Sequence, residues 1–223
     1  KNGKIAYGSD EGVGRTYDED RAVINTEANA FASIDGMGGE GGNGAIAAQI
    51  LAETLQEGFR AGTSFEEMQG QAFERMKAKF RRGGACYVAA RIEGKMLNIA
   101  QAGDVKLVVL NQAGEIKFQT RDERCFDFVV NCVGVMSNLP DGGRGRTTRS
   151  NVELAAGDRI IVASDGLWDN ANADEVVSCV SGKSIQEAIA LLDACAREKM
   201  TNAREYKARN VQAKPDNINI VIY

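Results

Sequence analysis

The sequence predicts an α+β protein. Two apolar patterns of helical spacing lie next to each other at residues 44–62 and 64–80, and a series of short β patterns separated by turn residues starts near residue 85. Ahead of both, residues 31–44 read as strand, tight turn and helix. The chain has 223 residues, 43% of them hydrophobic, which is enough to bury one large core. A single domain over residues 1–223 is therefore expected.

Residues Ile5 to Ser9 and Arg21 to Asn25 read as short strands joined by a polar stretch. That stretch ends in Asp18, Glu19 and Asp20, three consecutive carboxylates that repel one another unless a cation or water relieves them. The apolar run Ala30 to Asp35 is a strand that delivers a carboxylate into a turn with six glycines among residues 36–44. Such a turn can approach a ligand closely. In the second helix that follows, Ser64 and Glu67 have the spacing of a capping box.

Four runs, Ala85 to Arg91, Met96 to Ala102, Lys106 to Asn111 and Ile116 to Thr120, predict an antiparallel meander. Residues 121–146 are less regular, hold Pro140 and Asp141-Gly142-Gly143, and are expected to form a surface loop acting as a flap over a site. A strand from Asp158 to Ser164 runs into Asp165-Gly166-Leu167-Trp168-Asp169. Helices over 174–180 and 184–199 come next, and Asp216-Asn217 opens a closing strand that ends at Tyr223.

Composition narrows the function. The net charge of −4 and pI of about 5.1 offer no nucleic-acid surface, and no apolar run is long enough to span a bilayer. Lys1 to Lys4 lack the apolar stretch of a signal peptide, and the five cysteines form no CxxC. A cytoplasmic protein with no nucleic-acid or membrane partner is expected. The chain contains no histidine, which removes Ser-His-Asp and Cys-His nucleophiles and histidine-containing zinc or iron sites. The chemistry of an enzyme with this composition would rest mainly on carboxylates, arginines and backbone, with or without a metal, and oxygen-only ligands favour hard ions such as Mg²⁺ or Mn²⁺.

Gly36, Gly38 and Gly41 fit GxGxxG, but a second helix follows the first where a dinucleotide fold needs a strand. Gly182-Lys183-Ser184 resembles the end of a P-loop, yet position 177 is valine, and Ser184 with Glu187 reads as a helix cap. What remains is a repeated context: Asp35, Asp104, Asp165 and Asp216 each stand at an end of an apolar β run. One such residue is ordinary turn chemistry, whereas four suggest acidic ligands brought to one edge of a β core.

The ordered series Arg15-x-x-x-Glu19-Asp20, Asp35-Gly36-Met37-Gly38-Gly39, Ala102-Gly103-Asp104, Ala163-Ser164-Asp165-Gly166-Leu167-Trp168-Asp169 and Asp216-Asn217-Ile218 resembles the PP2C (PPM) family of metal-dependent protein serine/threonine phosphatases. The resemblance runs along nearly the whole chain in family order. It implies a β-sandwich of two antiparallel sheets flanked by helices (α/β/β/α) with a two-metal site between the sheets. It further implies that Asp35 bridges both Mn²⁺ or Mg²⁺ ions, that the Gly36 carbonyl binds one, and that Asp165 and Asp216 complete the pair. Glu19 and Asp20 match the family's acidic pair, Arg15 its phosphate-binding arginine, and Asp104 with Asp169 a third, weaker metal site. The implied activity is hydrolysis of phosphoserine and phosphothreonine in proteins, opposing a Ser/Thr kinase, by a monomer of bacterial type. A catalytically silent binding or regulatory module on the same fold is the alternative.

Three motifs depart from the family pattern. Met37 stands where eukaryotic members carry a histidine, Gly103-Asp104-Val105-Lys106 replaces GDSR, and Thr120-Arg121-Asp122 replaces DHS. These changes bear on substrate docking and on the acid step, not on the implied ligands. Arg144, Arg146 and Arg149 are candidates for holding a phosphopeptide, set against the plainer reading of a solvated arginine-rich loop.

Overall fold

The computed structural model describes residues 5–13, 15–38, 42–125, 128–136, 139, 141–209 and 211–223. Lys1 to Lys4, Gly39, Gly41 and Pro140 lie outside the described residues. Strands β1 (Ala6–Asp10), β2 (Arg21–Asn25) and β3 (Ala30–Met37) lead into helices α1 (Gly44–Ala61) and α2 (Phe65–Lys79). Next come β4 (Gly83–Glu93), β5 (Met96–Ala102), β6 (Lys106–Leu110) and β7 (Ile116–Gln119), then the short β8 (Arg124–Cys125), β9 (Phe128–Val129) and β10 (Val133–Val135). The remaining elements are β11 (Thr148–Glu153), β12 (Arg159–Ala163), α3 (Asp165–Trp168), α4 (Ala173–Val180), α5 (Ile185–Thr201), α6 (Ala203–Ala208) and β13 (Ile218–Ile222).

Among the described residues the strands form two large antiparallel sheets, one ordered β1-β13-β12-β6-β7 and the other β11-β5-β4-β3-β2 with β10 added beside β4. The expected meander is corrected here. β4 pairs β5 and β6 pairs β7, but β5 turns to β11 and β6 to β12, so the chain changes sheet between Ala102 and Lys106. Val105 lies in the apolar layer between the sheets, and burying it there draws the connection across the gap. β11 was not expected because only one of its six residues, Val152, is buried, which leaves an edge strand with no apolar alternation.

Strand alternation builds the layers. On β3, Ala30, Ala32 and Ile34 pack against Ala47, Leu51 and Leu55 of α1 and Met68, Ala72 and Met76 of α2. Phe31 faces the other way, into a layer shared with Val88, Ile99, Leu107, Val109, Ile160, Val162 and Val221. The second sheet repeats the scheme: Ile161, Ala163, Ile218, Ile220 and Ile222 pack on Val176, Val180, Leu192 and Ala196 of α4 and α5. The result is α/β/β/α. Helix ends follow the sequence, with Ser184 and Glu187 forming a full capping box and the Ser64 hydroxyl accepting the Glu67 N–H at 3.3 Å.

The gap between the sheets changes character along its length. At one end Phe31 stacks on Tyr223 with centroids 5.9 Å apart. Two residues along β3, buried Ser33 donates to Asn219 of β13 at 3.0 Å. Two further on comes Asp35, on the same face. The partner sheet grades in step, from Val162 to Ser164 and from Val221 through Asn219 to Asn217. A buried hydroxyl or amide is costly unless hydrogen-bonded. The Ser33 hydroxyl bonds Asn219 Oδ1 and the Asn219 N–H bonds the Ser164 hydroxyl, while Asn219 Nδ2 is left without a partner as the core gives way to a polar cleft.

Candidate active site

At the polar end of the gap a cleft of about 230 Å³ is lined by Arg15, Glu19, Asp35, Gly36, Met37, Gly38, Asp104, Arg124, Val129, Asp165, Lys214, Asp216 and Asn217. Asp35 arrives from β3, Asp104 from the sheet-crossing connection, Asp165 from the start of α3 and Asp216 from the approach to β13. The four carboxylates that the sequence placed at strand ends thus meet in one cleft. Asp20 and Asp169 do not line it. Both are buried behind it, Asp20 accepting from the Ser164 hydroxyl at 2.6 Å and Asp169 facing Arg124 at 3.2 Å.

Two glycines let the backbone close around these acids. A Cβ on Gly36 would stand 2.6 Å from the Glu19 carbonyl oxygen, to which the Gly36 N–H donates at 3.1 Å. At Gly166 a Cβ would collide with the Asn217 carbonyl, so the pairing of Asp165 with glycine lets α3 sit directly on the approach to β13. Asn217 is the clamp of the site. Its amide donates to the carbonyls of Glu11 and Tyr17 at 2.8 and 2.9 Å and its Oδ1 accepts the Glu19 N–H at 3.1 Å, which ties the segment carrying Arg15 and Glu19 to the β13 end.

Crowding shapes the charges. Burial raises the pKa of Asp35 well above the carboxylate range, and repulsion from Asp165, Asp20, Asp104 and Asp216 raises it further. Asp165 is pushed up to about 6 by burial and by Asp216, with Lys214 opposing the rise. Asp104 is also raised by burial, partly offset by the Cys86 thiol and Arg124, and its buried Oδ1 has no hydrogen-bond partner. Such a group calls for a cation.

Cations already stand on one side. Arg15 Nη2 donates to Asp216 at 2.6 Å. Lys214 Nζ lies 2.5 Å from Asp165, 2.9 Å from Asp216 and 3.6 Å from Asp169. Arg124 meets Asp169 at 3.2 Å and Asp104 at 3.9 Å. Sequence reasoning missed Lys214 and Arg124. Position gave one cue, since Lys214 is two residues from Asp216, but Arg124 sits in the irregular stretch without any local signal. Arg144, Arg146 and Arg149 do not line the cleft, and Arg149 instead pairs with Glu66 on α2 at 3.2 Å.

All-oxygen donors, mutual repulsion and the orphaned Asp104 Oδ1 fit hard divalent ions in kind. Among the described residues, however, no three acidic side chains are gathered as a finished metal cage.

Solved structures match this architecture along nearly the whole chain. The photosystem II phosphatase PBCP aligns with a TM-score of 0.81 and 22% identity over 98% of this chain and 97% of that one. The serine/threonine phosphatase PstP of Mycobacterium tuberculosis aligns at 0.77 and 20% over 98% and 97%. The fold is the PP2C fold. The PstP catalytic domain has also been solved with two manganese ions, at a TM-score of 0.77 to this PP2C-fold chain. A protein phosphatase 2C of Oryza sativa subsp. japonica is 24% identical over 176 residues, 74% of this chain. The match spans about half, 54%, of that relative's length. No family model matches the chain.

Proposed function

We propose that this PP2C-fold chain is a single-domain protein serine/threonine phosphatase dependent on Mn²⁺ or Mg²⁺, acting on phosphoproteins and opposing a Ser/Thr kinase. One observation carries the reading: Asp35 from one sheet and Asp165 and Asp216 from the other line the same cleft as Arg15. When bound, two divalent ions supply charge neutralisation and lower the pKa of water so that it can attack phosphorus.

The chain's own residues take the remaining roles. Asp35, Asp165, Asp216 and the Gly36 carbonyl would hold the two ions, with Glu19 and Asp20 behind them and Asp104 with Asp169 at a third, weaker position. Arg15, whose side chain is 37% exposed at the mouth of the cleft, would grip phosphate oxygens through paired N–H donors. Of the segment 121–146 expected as a flap, only the part around β9 would serve as one, since Val129 lines the cleft and neighbouring Phe128 is 76% exposed. β10 is instead built into the sheet beside β4, with Cys132 and Val133 buried.

The test is hydrolysis of a phosphothreonine peptide by purified protein. Activity should need added Mn²⁺ or Mg²⁺ and disappear with EDTA, whereas full turnover in metal-free buffer would overturn the reading.

A further inference from the structure

The position of Lys214 bears on how the proposed ions would enter. Its backbone is pinned on both sides of the residue plane, the N–H donating to Asn170 Oδ1 at 2.9 Å and the carbonyl accepting from Asn170 Nδ2 at 2.8 Å. Ala213 before it is buried, and Pro215 after it restricts the backbone further. The side chain therefore starts from a fixed point and reaches across Asp165, Asp169 and Asp216. Its closest contacts are Oδ2 of Asp165 and Oδ2 of Asp216. An ion held by these two carboxylates would contend with the ammonium for their Oδ2 atoms, the more so because Asp216 Oδ1 already accepts from Arg15 and the Asn217 N–H. Two cations sharing them would repel strongly at such distances.

We infer that Lys214 is a built-in competitor for metal at Asp165 and Asp216, so that an ion enters there only as the lysine side chain swings out. The geometry permits this exchange. Lysine ends in a compact charge on a four-carbon stem, and here the side chain is 45% exposed, so its ammonium can move to water without unfolding its surroundings. Among the described residues no cation pairs with Asp35, and the charges that act on it most strongly are carboxylates. Metal should then load in two unequal steps, the weaker one involving Asp165 and Asp216. This inference rests on the metal reading of the cleft.

Mn²⁺ binding to wild type and Lys214→Gln, followed calorimetrically and by the loss of free-Mn²⁺ paramagnetic resonance, separates the two ideas. Removing the competing charge should tighten the weaker step about tenfold or more while leaving the tighter step nearly unchanged. Lys214→Arg, which keeps the charge, should retain the weak step. Identical isotherms for wild type and Lys214→Gln would overturn the competitor role and leave the metal reading intact. Absence of Mn²⁺ binding in both would overturn the metal reading and this inference with it. A second measurement needs no variant: Mn²⁺ should increase acetic anhydride labelling of Lys214 in wild type, read by peptide mass spectrometry. Labelling that stays constant while Mn²⁺ demonstrably binds would also overturn the competitor role.

Discussion

The two sheets contribute acids to the same cleft with unequal compensation of their charge. Asp35, at the end of β3, is surrounded by carboxylates, and its charge is opposed by burial and by four neighbours of like sign. Asp165 and Asp216, on the facing sheet, are met by Lys214 and Arg15 at 2.5 to 2.9 Å. One side is therefore held under repulsion, while on the other cations offset part of it and the pKa of Asp165 still rises to about 6. A divalent ion gains most where nothing else neutralises the acids, so on the proposed metal reading the contrast would set an order of occupation.

The sharpest way to break this comparison is to remove one acid from each side. Asp35→Asn and Asp165→Asn should each lower phosphatase activity at limiting Mn²⁺ by at least about 100-fold, the upper end of what even outer-shell changes cost metal enzymes. Near-normal kcat/KM in either variant would mean that the ligand assignment is wrong. The next effect is on substrate: Arg15→Ala should raise KM for phosphopeptides about tenfold with a smaller fall in kcat, and leave Mn²⁺ affinity little changed. A variant with weakened metal binding and normal KM would place Arg15 on the metal side of the comparison.

A further test concerns Met37, two residues along β3 from Asp35. General acid assistance is typically worth about 10²- to 10⁴-fold, and a methionine supplies none. Rates on substituted phenyl phosphates should fall steeply as the leaving-group pKa rises, and Met37→His should flatten that slope. A shallow wild-type slope, with chemistry rate-limiting, would show that an acid is already present.

The smallest effect separates the two sides without any metal. Asp35 has a folded pKa above its unfolded one, so its ionised form costs stability once the pH exceeds the ordinary carboxylate range. Metal-free Asp35→Asn should therefore be more stable than wild type at pH 7 by on the order of 1 kcal/mol, the usual scale of a single substitution. The pKa of Asp165 is raised only to about 6 because Lys214 opposes the rise, so metal-free Asp165→Asn should gain less. Urea denaturation of both variants in EDTA measures the difference, and equal shifts would dissolve the contrast.

Much of this was legible before any coordinates. β2 and β5 have the bounds their alternation predicts, and α1 and α2 follow their apolar spacing within a residue or so at each end. The four strand-end aspartates were visible because an Asp at an end of an apolar run is a local pattern, reinforced by an adjacent Gly at Asp35, Asp104 and Asp165. Arg124, Lys214 and the Asn217 clamp were not, because their roles depend on partners 45, 49 and up to 206 residues away.

The chain's residue order dictated its strands and helices, the alternation that turns Phe31, Ser33 and Asp35 to one face, and the absence of any imidazole chemistry. Those properties arise from periodicity and side-chain type, which act over a few residues. Folding in three dimensions settled which strands share a sheet, where the chain crosses from β5 to β6, and which cations stand on which acids. Sheet membership follows from burying both faces of each sheet at once, and the ion pairs from how closely the packed sheets bring remote side chains together. Arg15 and Asp216 are 201 residues apart in sequence and 2.6 Å apart in the cleft, a distance fixed by the packing of the whole sandwich.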